Sequence, residues 1–290
     1  MDLDTAVTTN PNSDDTPIWR YMDLSRFVAV LATRSLWFSK IAGLRDDPYE
    51  GFCRAACIRL SAAEDVGPKW VTHTDPEGTA QISAAEMIAR FTRLAAGDCE
   101  NAPEHLYVNS WCLAEESMAM WQIYGLRGTG VAVKSSVDRY QRAAKFDVRP
   151  EQYTLGPVSY HADITSCAAL QYDFTRGAVP LPGPSLWARI LGVGFHKRAC
   201  YEYEREWRSA LYQDSQPSVT GCAIPFDLDA LIEEVYVGPR AEAFLPEVVE
   251  SIMGRFDLNK PLKVSSLLRP PQNGVPESEG RDGPEIHPAA

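Results

Sequence analysis

Between Tyr201 and Arg208 the chain reads Tyr-Glu-Tyr-Glu-Arg-Glu-Trp-Arg, carboxylates and guanidiniums set among aromatic rings. As a strand, its side chains alternate, so Glu202, Glu204, Glu206 and Arg208 share one face and Tyr203, Arg205 and Trp207 the other. Neighbouring carboxylates on one face repel. That raises the pKa of at least one and suits it to proton transfer or to holding a developing cation. As a helix, Tyr201, Glu204, Arg205 and Arg208 fall on one stripe and make a salt-bridged surface. The pattern admits both.

Other residues carry chemistry of their own. Arg20 lies between Trp19 and Tyr21; on a strand it points away from both rings, either to a carboxylate or to a phosphate held bidentately. Ser110 precedes Trp111, and Trp111, Trp121 and Tyr124 are either core or a stacking surface. Asp46-Asp47-Pro48-Tyr49-Glu50-Gly51 reads first as a helix start, with Asp47 as N-cap and Pro48 in the first position. It also supplies three members of a carboxylate set, Asp46, Asp47, Glu50 and Glu204, of the type that binds Mg²⁺ or Mn²⁺. The histidines, His73, His105, His161, His196 and His287, have no zinc-ligand spacing, and no metal is expected. There is no G-x-S-x-G. Cys112 and Cys200 lack a clear activating neighbour, although His196 and Lys197 are near Cys200 in sequence. Gly125, Gly128 and Gly130 sit in a helix–turn–strand order, the reverse of a dinucleotide fingerprint, and read as turn glycines.

The elements that must position these residues follow from periodicity. Strands are expected at 18–22, 35–39, 105–113, 154–160, 203–212, 219–224, 234–237 and 263–265, and the run 128–133 turns into another. Strand 105–113 puts Leu106, Val108 and Ser110 on one face and Tyr107, Asn109 and Trp111 on the other. Helices are expected at 23–33 with Asp23 as N-cap, at 83–96, at 115–124, and at 241–256 with Phe244, Leu245, Val248, Val249, Ile252, Met253 and Phe256 inward. Strands and helices without regular βαβ alternation predict an α+β fold, a mixed or mainly antiparallel sheet with flanking helices. Residues 1–16 and 269–290 read as disordered tails around a single domain at 17–268, in which 162–194, rich in proline, is an inserted loop.

The 290 residues are 45% apolar, ordinary for a globular core, with a net charge of −11. Such an acidic chain argues against a long nucleic-acid partner, whose grip comes from Lys and Arg on phosphates. The polar N-terminus and the absence of any long apolar run predict a cytoplasmic protein away from membranes. Seven cysteines without a C-x-x-C argue against a disulfide framework.

In order, Trp19-Arg20-Tyr21, Leu36-Trp37-Phe38-Ser39, Asp47-Pro48-Tyr49-Glu50-Gly51, Ser110-Trp111, the run Glu116 to Gly125, Gly130-Val131-Ala132-Val133, then Lys197, Tyr201, Glu204, Glu206 and Arg208, and finally Tyr236-Val237-Gly238-Pro239 resemble a bacterial family known as domain of unknown function 2971. The resemblance covers most of residues 18–265. Tyr201 stands where that family has a Trp. The family name carries no activity.

Arg20, Ser110 and Glu204-x-Glu206, in that order, also resemble ADP-ribosyltransferases of the Arg-Ser-Glu type. That resemblance implies an NAD-consuming enzyme, of the kind used as a toxin or defence effector, with NAD as substrate and no metal. By analogy Arg20 binds the pyrophosphate or ribose and Ser110 positions the nicotinamide ribose, a role for which Ser39 competes. Glu206 holds the ribose 2′-hydroxyl and stabilises the oxocarbenium-like transition state, and Glu204 orients or deprotonates the acceptor. Tyr21, Trp111, Trp121 and Tyr124 complete the cofactor surface, and Asp47, Glu50, Lys197 and Arg208 form its surroundings. The Ser-Thr-Ser triplet of that type is missing: Trp111-Cys112 follows Ser110. Two other readings stand beside this one. The first is a noncatalytic sensor or interaction module in which these charges neutralise one another. The second is a metal-dependent phosphodiesterase or nuclease using Asp47, Glu50 and Glu204. The expected partner is a small charged molecule or a nucleotide.

Overall fold

The structure is a computed structural model. It describes residues 16–44, 46–51, 101–113, 115–125, 128–148, 152–164, 191–213 and 220–269, and the backbone of 70–75 and 78–83. The expected tails lie almost wholly outside the described residues, as do most of the 83–96 helix and most of the 162–194 insertion.

Pro17–Asp23 forms β1, with Ile18 and Met22 buried on one side and Trp19 and Tyr21 on the other. Asp23 then caps helix α1, Leu24–Thr33, its carboxylate accepting the Arg26 N–H at 2.8 Å. Arg34 leaves the helix with φ of 46° and sends the chain back as β2, Ser35–Lys40. Beyond a hairpin of β3, Trp70–Asp75, and β4, Gly78–Ser83, comes β5, Leu106–Cys112. Then follow α2, Met118–Tyr124, β6, Gly130–Ser136, and α3, Val137–Ala143. The next strands are β7, Tyr153–Pro157, β8, Ser159–His161, β9, His196–Arg198, β10, Glu206–Tyr212, and β11, Gly221–Pro225. The fold closes with α4, Leu228–Leu231, β12, Glu234–Val237, α5, Leu245–Arg255, and β13, Leu262–Val264.

The main sheet runs β11-β2-β5-β1-β6-β12-β13, with β10 also paired to β5 and β7 to β10. Its described pairings are antiparallel except β12–β13. The fold is therefore α+β, as the sequence predicts. One face is covered by α1, α3, α4 and α5, which pack Phe27, Leu31, Tyr140, Leu228, Leu245 and Val249 against Ile18, Phe38, Tyr107, Trp111, Trp207 and Val235. The other face carries short and irregular cover: α2 with Met120 and Trp121 over Trp19 and Tyr21, and the 3₁₀ turns Ile41–Gly43 and Val193–Phe195 over Leu106, Val108 and Ala210. Register puts Glu206, Cys112, Trp19, Lys134 and Glu234 in one row across this second face. Neighbouring strands are about 4.8 Å apart.

Three local expectations need correction. Residues 201–208 are neither one strand nor one helix. Ala199–Glu204 is a 3₁₀ turn, Arg205 adopts φ of 42°, and the strand begins only at Glu206. Asp47 does not begin a helix among the described residues. Its carboxylate accepts the Tyr49 N–H within a turn at 46–51. Helix α5 starts at Leu245 rather than Ala241. It buries Leu245, Val249 and Met253 at four-residue spacing, while Phe244 and Val248 face outward, 59% and 37% exposed. The 125–130 glycines do serve the turn. Gly128 has φ of 82°, and a Cβ on Gly130 would lie 2.5 Å from the Gly125 Cα. Among the described residues no helix is long and apolar enough to cross a membrane.

Candidate active site

The site begins at an incomplete seam in the sheet. On one edge β5 pairs with β10 along its whole length. On the other it meets β2 through Tyr107 and Val108, and β1 through Cys112 opposite Trp19. Between those contacts side chains take over from the ladder. The Asn109 amide donates to the Trp37 carbonyl at 2.8 Å, and Arg20 Nη1 donates to the Ser110 carbonyl at 2.6 Å. Arg20 leaves β1 on the helix-covered side, because Trp19 and Tyr21 occupy the other, so its guanidinium lies in the gap between β1 and β5. Burial pulls its pKa down. Tyr140 from the helix side and Glu206 from the opposite side both oppose that shift.

On that opposite side lies a buried charge cluster. Lys197 Nζ donates to Glu204 Oε2 at 2.5 Å and Glu206 Oε1 at 3.0 Å, and lies 3.6 Å from Glu50 Oε2. Arg208 donates through Nε to Glu206, and through Nη1 to Glu50 Oε1 at 2.5 Å and the Gly194 carbonyl at 2.7 Å. Arg208 is 1% exposed, and Lys197, Glu204 and Glu206 are all below a tenth. The kink at Arg205 is what brings two carboxylates, one on each side of it, onto a single ammonium. Tyr160 secures the second of them: its hydroxyl accepts the Glu206 N–H at 2.8 Å.

With every group ionised, the three carboxylates exceed the two cations by one negative charge. The excess is felt unequally. Burial raises Glu204 to about 7, beyond what Lys197 can offset. Burial also pushes Glu206 up, but Arg208 and Lys197 outweigh it and hold that carboxyl at about 2. Lys197 and Arg208 are raised in turn, their burial outweighed by Glu206 and Glu50. The arrangement therefore contains a fixed anion, Glu206, two residues from a group able to exchange a proton near neutrality, Glu204. Tyr124, at the end of α2, is raised to about 12 by burial and by Glu204 and Glu206, which marks it as their neighbour.

The expected site residues divide accordingly. Ser110 stands opposite Arg208 on β10, on the same face as Glu206, with Arg20 on its carbonyl. Ser39 stands opposite Val108, two residues along β5. Glu50, Glu204, Glu206, Lys197 and Arg208 form the cluster, and Tyr124 borders it. Tyr21 and Trp121 lie on this face but are already engaged. The Tyr21 hydroxyl accepts the Ser117 N–H at 2.9 Å, Trp121 Nε1 donates to Glu116 at 2.8 Å, and the two rings meet edge-on at 5.0 Å. Trp111 is not with them. It is 2% exposed within the helix-side core, and its Nε1 donates to Asn109. Asp47 lies in an outer layer, 2.9 Å from Arg198, whose guanidinium is 4.8 Å from the Tyr49 ring centre and 5.4 Å from that of Tyr201. Thus Asp47 is held apart by Arg198, while Glu50 and Glu204 meet on the Lys197 ammonium, and no group of three or more His, Cys, Asp or Glu able to hold a metal occurs among the described residues. Sequence reading missed Tyr160 and Arg198. Neither belongs to a motif, and Tyr160 meets Glu206 only through the fold.

No protein-family model matches the chain, and no curated protein does. Among solved structures it is similar to Thermus sp. 2.9 DarT in complex with NAD+, at 12% identity and a TM-score of 0.34, over 86% of this chain and 95% of that one. The same protein in complex with ADP-ribosylated ssDNA gives 12% and 0.34, over 86% and 94%. In complex with carba-NAD+ it gives 13% and 0.33, over 86% and 94%. Likeness at this level carries no argument.

Proposed function

We propose that the protein is an NAD-consuming, ADP-ribosyltransferase-like enzyme whose site is the seam between β1 and β5 together with the cluster at the start of β10. The observation that carries this reading is the convergence of three distant residues: Arg20 bonds the backbone of Ser110, and Ser110 faces the strand that presents Glu206. Arg20 supplies a guanidinium for the phosphates or ribose, and Ser110 a hydroxyl on the face that carries Glu206. Glu206, kept anionic by Arg208 and Lys197, faces the positive charge that develops as the nicotinamide bond breaks. Glu204 accepts the proton of the incoming hydroxyl or water, a task suited to a carboxyl near 7. Tyr124 and Tyr160 border that reaction. The same ordered blocks support membership of the domain of unknown function 2971 family.

NAD binding tests the first half of this reading. NAD should raise the melting temperature of the wild type, and Arg20→Met should abolish the rise while leaving the protein folded. An equal rise in both would remove Arg20 from the site.

One observation favours a second, noncatalytic reading. Each carboxylate of the cluster is already bonded to Lys197 or Arg208. In that case the cluster is an internal ion-pair network, and Glu206→Gln lowers the melting temperature with no other consequence.

A further inference from the structure

Beside the cluster stands a two-strand parallel ribbon. In it Ser159 faces His196, Tyr160 faces Lys197, and His161 faces Arg198. Alternation puts Tyr160 and Lys197 on one side, where both hold Glu206. The histidines take the other side. His161 Nε2 is 2.9 Å from His196 Nδ1, with ring centres 5.1 Å apart, so the two nitrogens meet head-on. Such a contact needs one hydrogen between a donor and a lone pair. It survives one added proton, shared by the pair, but not two, which would set two N–H groups and two positive charges against each other.

Three charged neighbours of the pair are matched elsewhere. Arg198 shares its side of the ribbon and is matched to Asp47 at 2.9 Å. Lys197 and Glu204 are turned to the cluster. The packed 3₁₀ turn contributes Cys200, Tyr201, Glu202 and Tyr203 besides Glu204. Burial lowers His161. Burial and then the charge of His161 lower His196 to about 4.

We propose that the His161–His196 contact is an acid-sensitive clasp holding Tyr160 and Lys197 against the carboxylate cluster, and that a second proton on the pair opens the ribbon and withdraws both. Without Lys197, Glu204 and Glu206 face each other with one cation fewer, so acidification disables the site. This last consequence rests on the enzymatic reading. The opening itself does not.

The sign follows from linkage. His196 regains its ordinary value of 6.5 in the open ribbon, so the open form binds more protons between about pH 4 and 6.5, and acid favours it throughout that window. From about pH 7.5 to about pH 5.5 the opening constant should rise about tenfold through His196 alone. Hydrogen–deuterium exchange of the full chain without NAD, corrected for intrinsic rates, reads this directly in peptides covering 158–161 and 196–206. Glu204, near 7, titrates in the same window in both proteins, so the His161–His196 contribution is the difference between them: the wild-type opening constant should rise about tenfold more than that of His161→Gln/His196→Gln. An equal change in the two proteins would overturn the proposal. Imidazole NMR of the wild type gives an answer that needs no variant to fold: His196 should titrate well below 6, and titration of both rings near 6.5 would also overturn it. Nicotinamide release is measured separately, so a ribbon that opens in a protein leaving NAD intact would count against the enzymatic reading alone.

Discussion

Glu204→Gln removes the one carboxylate that the cluster holds at a cost. In the folded protein Glu204 lies at about 7 against an ordinary 4.5, because burial penalises its charge. The folded state therefore grips this proton more tightly than the unfolded chain does. The stability it contributes is complete below about pH 4.5 and is lost as the pH rises to about 7. Integrated over that window, the difference is at most about 3 kcal/mol, and coupling to Glu206 lowers the expectation to about 1–3 kcal/mol. Glutamine keeps an oxygen for the Lys197 ammonium, so little else changes. The variant should match the wild type near pH 4.5 and exceed it by that margin near pH 8, as read from urea unfolding at several pH values. A difference that does not vary with pH would refute the assignment of the excess charge to Glu204. So would a variant less stable than the wild type near pH 8.

Two further substitutions test the framework around it. Arg208→Met leaves Glu50 and Glu206 buried with Lys197 alone among the cluster cations, and should cost about 3–5 kcal/mol at neutral pH. The deficit should shrink in acid as Glu206, whose carboxyl Arg208 holds low, protonates. Gly130→Ala forces a methyl to within 2.5 Å of the Gly125 Cα and should lower stability by about 1–3 kcal/mol. Gly254→Ala, where nothing lies within 4 Å, is the control and should cost nothing.

Many of the strands and helices were legible because each has a strong local cause, whereas β3, β4, β9, α3 and α4 were not read. Asp23 caps α1 as its position suggests, and alternation in 106–112 correctly separated Ser110 from Trp111. The α5 stripe was overdrawn. Three turns of one face suffice against the sheet, and Phe244 and Val248 fall beyond it. The run 201–208 defeated periodicity because its cause is not local. The kink at Arg205 is fixed from outside, by Leu113 N–H donating to its carbonyl at 2.8 Å and by Tyr160 on Glu206. For the same reason the pairing of Asp47 with Arg198, and of Glu50 with Arg208, was invisible: each joins segments about 150 residues apart in sequence. Composition signalled an acidic chain but not that one excess carboxylate is concentrated in a buried cluster.

Nicotinamide release from NAD, measured with the wild type and with Glu206→Gln at neutral pH and with melting temperatures recorded for both, asks whether the Glu206 carboxylate acts on the breaking bond. The expected outcome is release by the wild type and a loss of about 100-fold or more in a variant that remains folded. Equal release by the two proteins, or none by the wild type, would contradict it and leave the buried charges as an ion-pair network.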